Sequence, residues 1–101
     1  MISDAVSSGL AGIGAATRRI EASAHNVANL NTQDFRPLEV RQAVDAAGHP
    51  QATTARPEEP RDVDLAREIA GQMQARTSFQ ASLRTIETGL EMRGQLLDIL
   101  A

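Results

Sequence analysis

The N-terminal third of the chain repeats apolar side chains at the spacing of a long helix. Between about residues 2 and 30, these positions recur at intervals of four and three residues, which places them on one face of a helix and is typical of a heptad seam. The repeated positions are Val6, Leu10, Ile13, Thr17, Ile20, Ala24 and Val27. The pattern predicts an N-terminal helix over residues 1–31 whose apolar stripe packs against a partner.

A second periodic segment begins near Val63 and continues to the C-terminus. Roughly 37 helical residues would span about 55 Å. Three heptad-equivalent positions are polar (Gln72, Arg76 and Arg93), and an arginine at such a position usually extends its charged end into solvent. Arg76 and Arg93 are therefore candidates for polar specificity in a subunit contact. The apolar seam consists of Leu65, Ile69, Phe79, Leu83, Ile86, Leu90, Leu97 and Leu100. It predicts a C-terminal helix over residues 63–101.

Three glycines, Gly9, Gly12 and Gly14, lie inside the first predicted helix. Each costs about 1 kcal/mol relative to alanine in a helix interior. One interpretation is that they let a neighbouring backbone approach closely. The other is a frayed helix start without a partner. The sequence alone leaves both open.

The segment between the two helices, residues 32–62, reads as a connection. Asn, Asp and Thr at residues 29–34 favour a helix end, and Pro37 reinforces it. Leu38 and Val40 alternate with polar residues, which indicates a short extended stretch. Residues 45–60 contain no apolar side chain larger than alanine and three of the four prolines, so they read as a flexible loop. The predicted fold is all-α: two long helices in an antiparallel hairpin or coiled coil, joined by this proline-rich loop.

Composition favours a helical partner of other chains over an enzyme. Of 101 residues, 42% are hydrophobic, but 17 are alanine and only Phe35 and Phe79 are aromatic. So few large side chains favour extended helices that bury narrow seams against other chains. The net charge is −3, with ten arginines and no dense basic stretch, which argues against nucleic-acid binding. No segment reads as a signal peptide or a membrane span, so we expect no membrane insertion and any export without signal cleavage.

Chemistry-bearing residues are sparse. Glu21 and His25 lie four residues apart, but without a third ligand they favour a surface pair or a cap over a metal site. The serines are scattered, with no suggested histidine and carboxylate beside them. We expect no catalytic site, no cofactor and no metal.

Two motifs at opposite ends of the chain resemble one protein family. Residues 24–35 (AHNVANLNTQDF) resemble the asparagine-rich signature A-N-N-I-A-N-x-N-T-P-G-Y of bacterial flagellar axial proteins, the rod and hook family. Residues 91–97 (EMRGQLL), with the glutamines, alanines and Phe79 upstream, are similar to that family's C-terminal helix. The signature positions that match, outright or in kind, include Asn26, Asn29, Asn31, Thr32 and Phe35. Gln33 and Asp34 replace the family's Pro-Gly, and Asp34 is a residue that tolerates a positive φ.

The resemblance implies a structural subunit of the flagellar basal-body rod, nearest to the short proximal-rod subunits because the middle of the chain is too short for an outer domain. It further implies a periplasmic location and export through the flagellar type III apparatus. Assembly with itself and with other axial subunits would proceed through the terminal helices, which transmit torque. The signature asparagines and Thr32 would fix the end of the first helix and the following turn. A different class stays open: a helical-hairpin adaptor or export chaperone that acts as a dimer.

Overall fold

The computed structural model describes residues 2–100, with the backbone only for Ile2 and Ser3. Its elements in chain order are helix α1 (Ile2–Ala28), strand β1 (Glu39–Val44), strand β2 (Pro50–Ala55) and helix α2 (Leu65–Leu100). The helices lie antiparallel, and the molecule is long and flat, 64 × 25 × 14 Å. Since α2 has 36 residues and α1 has 27, the last turns of α2 extend past the first described turn of α1.

Local hydrogen bonds end the first helix and start the second. At the end of α1, the Asn29 N–H donates to the carbonyls of His25 and Asn26, both at 3.2 Å. Its side-chain amide also donates to the His25 carbonyl at 2.9 Å. At the start of α2, Asp64 is the N-cap: its carboxylate accepts from the Arg67 N–H at 3.2 Å. These bonds satisfy backbone groups that have no partner inside a helix.

The two strands form an antiparallel hairpin that packs along α1. The register pairs Glu39 with Ala55 and Val44 with Pro50. At the tip, the Asp45 carboxylate accepts from the N–H groups of Ala47 and His49, each at 2.9 Å. Gly48 has a φ of 85°, a conformation that is free of steric cost only for glycine. The turn is therefore stabilised by the hydrogen bonds of the Asp45 carboxylate and by a glycine at the position where φ is positive.

The prediction of an all-α fold is wrong. The segment predicted as a proline-rich loop with at most a short extended stretch contains both strands, and the flexible connection predicted for residues 45–60 includes β2. The hairpin needs no large side chains because it packs on a part of α1 that is rich in alanine. Ala52 is buried there, and its carbonyl accepts a hydrogen bond from Arg18 at 3.0 Å. Strand burial of this kind leaves no hydrophobic run in the sequence.

Small side chains make the contact between α1 and α2. A Cβ at Gly9 would lie 2.5 Å from Ile86 Cγ1 and 3.1 Å from the Ser82 carbonyl, and a Cβ at Gly12 would overlap Ser82 Oγ. We call this contact the inner contact; it includes Gly9, Gly12, Ala16 and Ser23 of α1, and Ala75, Ser82, Ile86 and Gly89 of α2. Gly9 and Gly12 therefore do allow close approach of the second helix. Gly14 has nothing near its Cβ position and plays no such part.

Candidate assembly face and asparagine junction

The large apolar residues of both helices lie beside the inner contact. Leu10 and Ile13 follow Gly9 and Gly12 in α1, and Leu83 follows Ser82 in α2 in the same way. One residue is a rotation of about 100° around a helix. The large residues of each helix are therefore rotated by the same angle away from the inner contact. Because the helices are antiparallel, this rotation brings the large residues of α1 and those of α2 to the same side of the helix pair. We call this side the outer face.

The β-hairpin covers the opposite side of α1. Two buried alanines of α1 lie on this side, Ala15 and Ala22. Each comes one residue before a member of the inner contact, Ala16 and Ser23 respectively. Ala15 shares a hollow with Pro50, and Ala22 shares a groove with Val40. In the described chain, the strands therefore pack on one side only, and the outer face has no covering element.

The structure places the predicted packing residues along the outer face and at its border with the inner contact. Leu10 is 58% exposed, and Leu83 is 40% exposed. The half-buried residues of this set are Val6, Ile13, Ile20, Val27, Phe79 and Ile86, and the other exposed ones are Leu65, Ile69, Leu90 and Leu97. Ile86 also belongs to the α1–α2 contact, because its side chain lies at the Cβ position of Gly9.

Asn26 is the centre of a buried junction between three segments. It is 2% exposed, and its side-chain oxygen accepts from the Leu38 N–H at 2.7 Å while its nitrogen donates to the Leu38 carbonyl at 2.9 Å. The same nitrogen donates to a Glu68 carboxylate oxygen at 3.1 Å. One amide thus joins the end of α1, the segment leading into β1 and the first turn of α2.

A second pair of hydrogen bonds extends this junction along α1. Ser23 Oγ donates to the Glu68 carbonyl at 3.1 Å and accepts from the Gln72 amide at 2.9 Å. Buried polar groups with complete hydrogen bonding fix a single arrangement of the segments that they join. The sequence did not identify Glu68, Gln72 or Leu38 as partners, because each lies at least 12 residues from the group it binds.

The other signature residues shape the exposed turn after α1. Thr32 Oγ1 donates to the Asn29 side-chain oxygen at 3.1 Å, so these two residues are joined to each other. Asn31 is exposed in the same turn. Asp34 has a φ of 55°, a left-handed conformation that aspartate tolerates better than most residues.

Phe35 lies between a histidine and an arginine beside this turn. Its ring centroid is 5.7 Å from that of His25, and the Arg56 guanidinium lies 5.7 Å from the Phe35 ring centre. Arg56 also donates to the Arg36 carbonyl at 2.7 Å and lies 3.2 Å from His25 Nε2. The cluster attaches the segment after β2 to the turn after α1. His25 therefore has a structural contact that the sequence did not predict.

One ionisable group away from the junction supports the turn of the β-hairpin. The pKa of the Asp45 carboxyl lies below its usual value, chiefly because the His49 N–H donates a hydrogen bond to it and secondly because the Ala47 N–H does so. Both bonds belong to the turn of the hairpin. Within residues 2–100, no three histidine or carboxylate side chains gather where they could hold a metal ion. Neither described helix combines the length and apolar character needed to cross a membrane.

No known protein-family model matches this chain, and no curated protein sequence matches it. The candidate site is therefore defined by its geometry: a flat apolar face along two antiparallel helices, held in shape at one end by the Asn26 junction. Such a face is suited to contact another helical chain along its length.

Proposed function

We propose that this protein is a structural subunit of the bacterial flagellar basal-body rod and that it assembles with other axial subunits through the outer face. The observation that carries the proposal is the sorting of side chains by size. Glycine, alanine, serine and Ile86 form the contact between the two helices, while the leucines of the rows and Phe79 lie at or beside an uncovered face.

Exposed apolar area of this extent supports an assembly role. Scattered exposed leucines are ordinary on a protein surface, but contiguous rows mark an interaction site. Here the rows run along both helices, from Val6 to Val27 and from Leu65 to Leu97, and three polar residues interrupt the α2 row at Gln72, Arg76 and Arg93. A subunit of a tubular assembly needs apolar contact along its whole length, which this face offers.

The Asn26 junction supports the same role in a second way. A subunit that transmits torque has to keep its helices at a constant angle under load. Buried hydrogen bonds from Asn26 and Ser23 to Glu68 join α1 to α2 where the intervening chain leaves and returns. The resemblance of residues 24–35 to the rod and hook signature indicates which assembly the subunit serves.

The proposal is tested in the bacterium that encodes the protein. The gene is deleted and replaced by the wild-type gene, by the Leu83→Asp variant or by the control variant Arg84→Ala. Arg84 is the matched control because it follows Leu83 on the same helix and does not belong to the outer face. We expect deletion and Leu83→Asp to abolish motility and rod assembly, and Arg84→Ala to restore both. Electron microscopy of purified basal bodies and swimming assays provide the readouts.

The location of the protein separates the rod proposal from an adaptor or export chaperone. A rod subunit is recovered in purified basal bodies, whereas an adaptor stays in the cytoplasm and is absent from them. Recovery of the wild-type protein only from the cytoplasm would contradict the rod proposal. Normal swimming of cells that carry Leu83→Asp alone would contradict the role of the outer face.

A further inference from the structure

The β-hairpin has an open edge along β1. The Asp45 N–H donates to the His49 carbonyl at 3.0 Å, so these two residues form a hydrogen-bonded pair. Bonded and non-bonded pairs alternate along antiparallel strands. In the observed register, the backbone groups of Val40, Gln42 and Val44 therefore point away from β2. They form the free edge of β1, which has no further strand beside it in the described chain.

The outward edge of β2, in contrast, is closed to a further strand. Two of its positions are Pro50, which has no N–H, and Ala52, whose carbonyl already accepts from Arg18. An edge without such features presents unpaired N–H and C=O groups to other chains. Just before β1, the Asn26 amide accepts from the Leu38 N–H and donates to its carbonyl, as a paired strand would. In the described chain, the rest of the β1 edge has no such cover.

Space for one more strand lies between the free edge of β1 and α2. No Cα of α2 lies within 8 Å of a Cα in either strand. Two hollows of about 530 and 310 Å³ follow each other along this gap, the first between Val40 and Gly71 and the second between Val44 and Ser78. Paired strands lie about 4.8 Å apart. A third strand beside β1 would therefore lie in this gap and over α2.

The surface of α2 along the gap has small side chains. A Cβ at Gly71 would meet nothing within 4 Å, and Ser78 lies about two turns further along the helix. The side of α1 on which β2 packs through Ala52 is also made of small residues. The helix pair therefore offers the same kind of surface twice, once beneath β2 and once beside β1.

Two arginines at the first hollow have no partner in the described chain. Arg41 of β1 and Arg67 of α2 both line the hollow, and neither side chain forms a hydrogen bond or an ion pair there. Three of the four carboxylates of the hollow already have partners, namely Glu39 (Arg61), Asp64 (the Arg67 N–H) and Glu68 (Asn26). Unpaired positive charge therefore exceeds unpaired negative charge, and an acidic side chain would complement it.

We propose that β1 binds an extended segment of another polypeptide as a third strand, with an acidic side chain of that segment between Arg41 and Arg67. Backbone hydrogen bonds supply the affinity, and the two arginines supply specificity. An antiparallel pairing with β1 of a second copy is disfavoured, because α2 flanks the free edge in each copy and would overlap the other molecule. The site lies on the hairpin side, away from the outer face, and the proposal does not rest on the rod function.

Titration of the purified full chain with a labelled peptide tests the side-chain chemistry. The probe is the end-blocked heptapeptide Thr-Val-Thr-Glu-Thr-Val-Thr, and the control peptide has lysine in place of glutamate. By fluorescence polarisation, we expect the glutamate peptide to bind about tenfold more tightly. The double variant Arg41→Glu, Arg67→Glu should reverse this preference. No binding of the glutamate peptide at about 1 mM, or the same preference in the double variant, would overturn the proposal.

Proline on the free edge tests the strand pairing. Gln42→Pro removes an N–H that the hairpin does not use, so the fold should persist while the peptide binds at least about tenfold more weakly. The matched control Gln42→Ala keeps this N–H and removes the side chain, and its dissociation constant should stay within about twofold. Circular dichroism checks the fold of both variants. Equal binding by the two folded variants would contradict pairing at this edge.

Amide hydrogen exchange of the wild-type chain gives a readout without any substitution. With the glutamate peptide bound, the N–H groups of Val40, Gln42 and Val44 should exchange more slowly. Those of Arg41 and Ala43, which already bond to β2, should change little. Uniform protection of all five, or of none, would overturn the third strand.

The same experiment without peptide tests the choice of partner. If protection of the free-edge N–H groups rises with protein concentration alone, a second copy is the occupant and the proposed partner is wrong. We expect no such rise. Basal bodies are not involved in these measurements, so a failure here leaves the rod proposal unaffected.

Discussion

The inner contact and the outer face run along the same two helices, yet they use opposite kinds of side chain. The inner contact is built from glycine, alanine and serine together with Ile86, and Ala75 in it is 0% exposed. The outer face carries the leucines that would usually form a core. Close backbone approach at Gly9 and Gly12, more than large buried side chains, therefore holds the two helices together.

This division has a consequence for stability. Burying alanine and glycine removes little apolar surface from water, so the inner contact contributes less hydrophobic free energy than a leucine seam of equal length. Hydrogen bonds at the closed end, from Ser23 and Asn26 to Glu68, add specificity to it. We expect the isolated chain to be only moderately stable and to gain stability when the outer face is covered.

The largest effect on folding is expected at the closed end of the inner contact. Asn26→Ala leaves the half-buried N–H and C=O of Leu38 without their partner and removes a bond to Glu68. We expect a loss of about 3 kcal/mol in the free energy of unfolding, measured by chemical denaturation. The half-buried neighbour Asn29 is the control: its side chain bonds only within the turn after α1, so Asn29→Ala should cost about 1 kcal/mol or less. Equal costs for the two variants would mean that the junction does not stabilise the hairpin.

Bulk in the inner contact should separate the helices. Gly9→Val places a branched side chain where even a Cβ meets Ile86 and the Ser82 backbone, so we expect a loss of about 2 kcal/mol or more. Gly14→Ala is the matched control, because its Cβ position is open. It should stabilise the protein by up to about 1 kcal/mol through helix propensity. Thermal unfolding measures both, and a stabilising Gly9→Val would contradict the close approach of the helices.

A charge on the outer face should leave the dilute monomer almost intact. Leu83 is partly exposed there, so Leu83→Asp should change the free energy of unfolding of the monomer by about 1 kcal/mol or less. The same substitution should abolish association with other copies. Denaturation at low protein concentration, compared with sedimentation at high concentration, separates the two effects. A cost of several kcal/mol in the monomer would show that Leu83 belongs to the inner contact.

The smallest effect is expected in the turn that leads away from the inner contact. Asp34 has a φ of 55°, which glycine adopts without steric cost, and no hydrogen bond of the described chain requires its side chain. Asp34→Gly should therefore be neutral or stabilise the protein by less than about 1 kcal/mol. Asp34→Val, with a branched Cβ at the same φ, should destabilise it. The difference in melting temperature between the two variants measures the backbone strain at this positive φ. Equal melting temperatures would contradict the presence of such strain.

The β-hairpin shows why part of the fold could not be predicted. The turn residues Asp45 and Gly48 are visible in the sequence, but the strands around them contain small and polar residues that do not form an apolar run. Ala52 is buried only because an alanine-rich side of α1 lies beneath it. A strand that depends on such a surface has a weak pattern of its own, since β-propensity largely reflects packing against neighbours.

The sequence by itself determined that two long helices with heptad rows of large apolar residues would form, because the spacing of side chains along a helix is a local property. Only the tertiary structure decided which row the hairpin would use for its own contact. The small-residue row and the large-residue row repeat with the same period one residue apart, so periodicity cannot choose between them. The choice depends on how closely two backbones approach, and at Gly9 and Gly12 the second helix occupies the space that a Cβ would fill. The large residues therefore remain on the outer face, where partner chains can reach them.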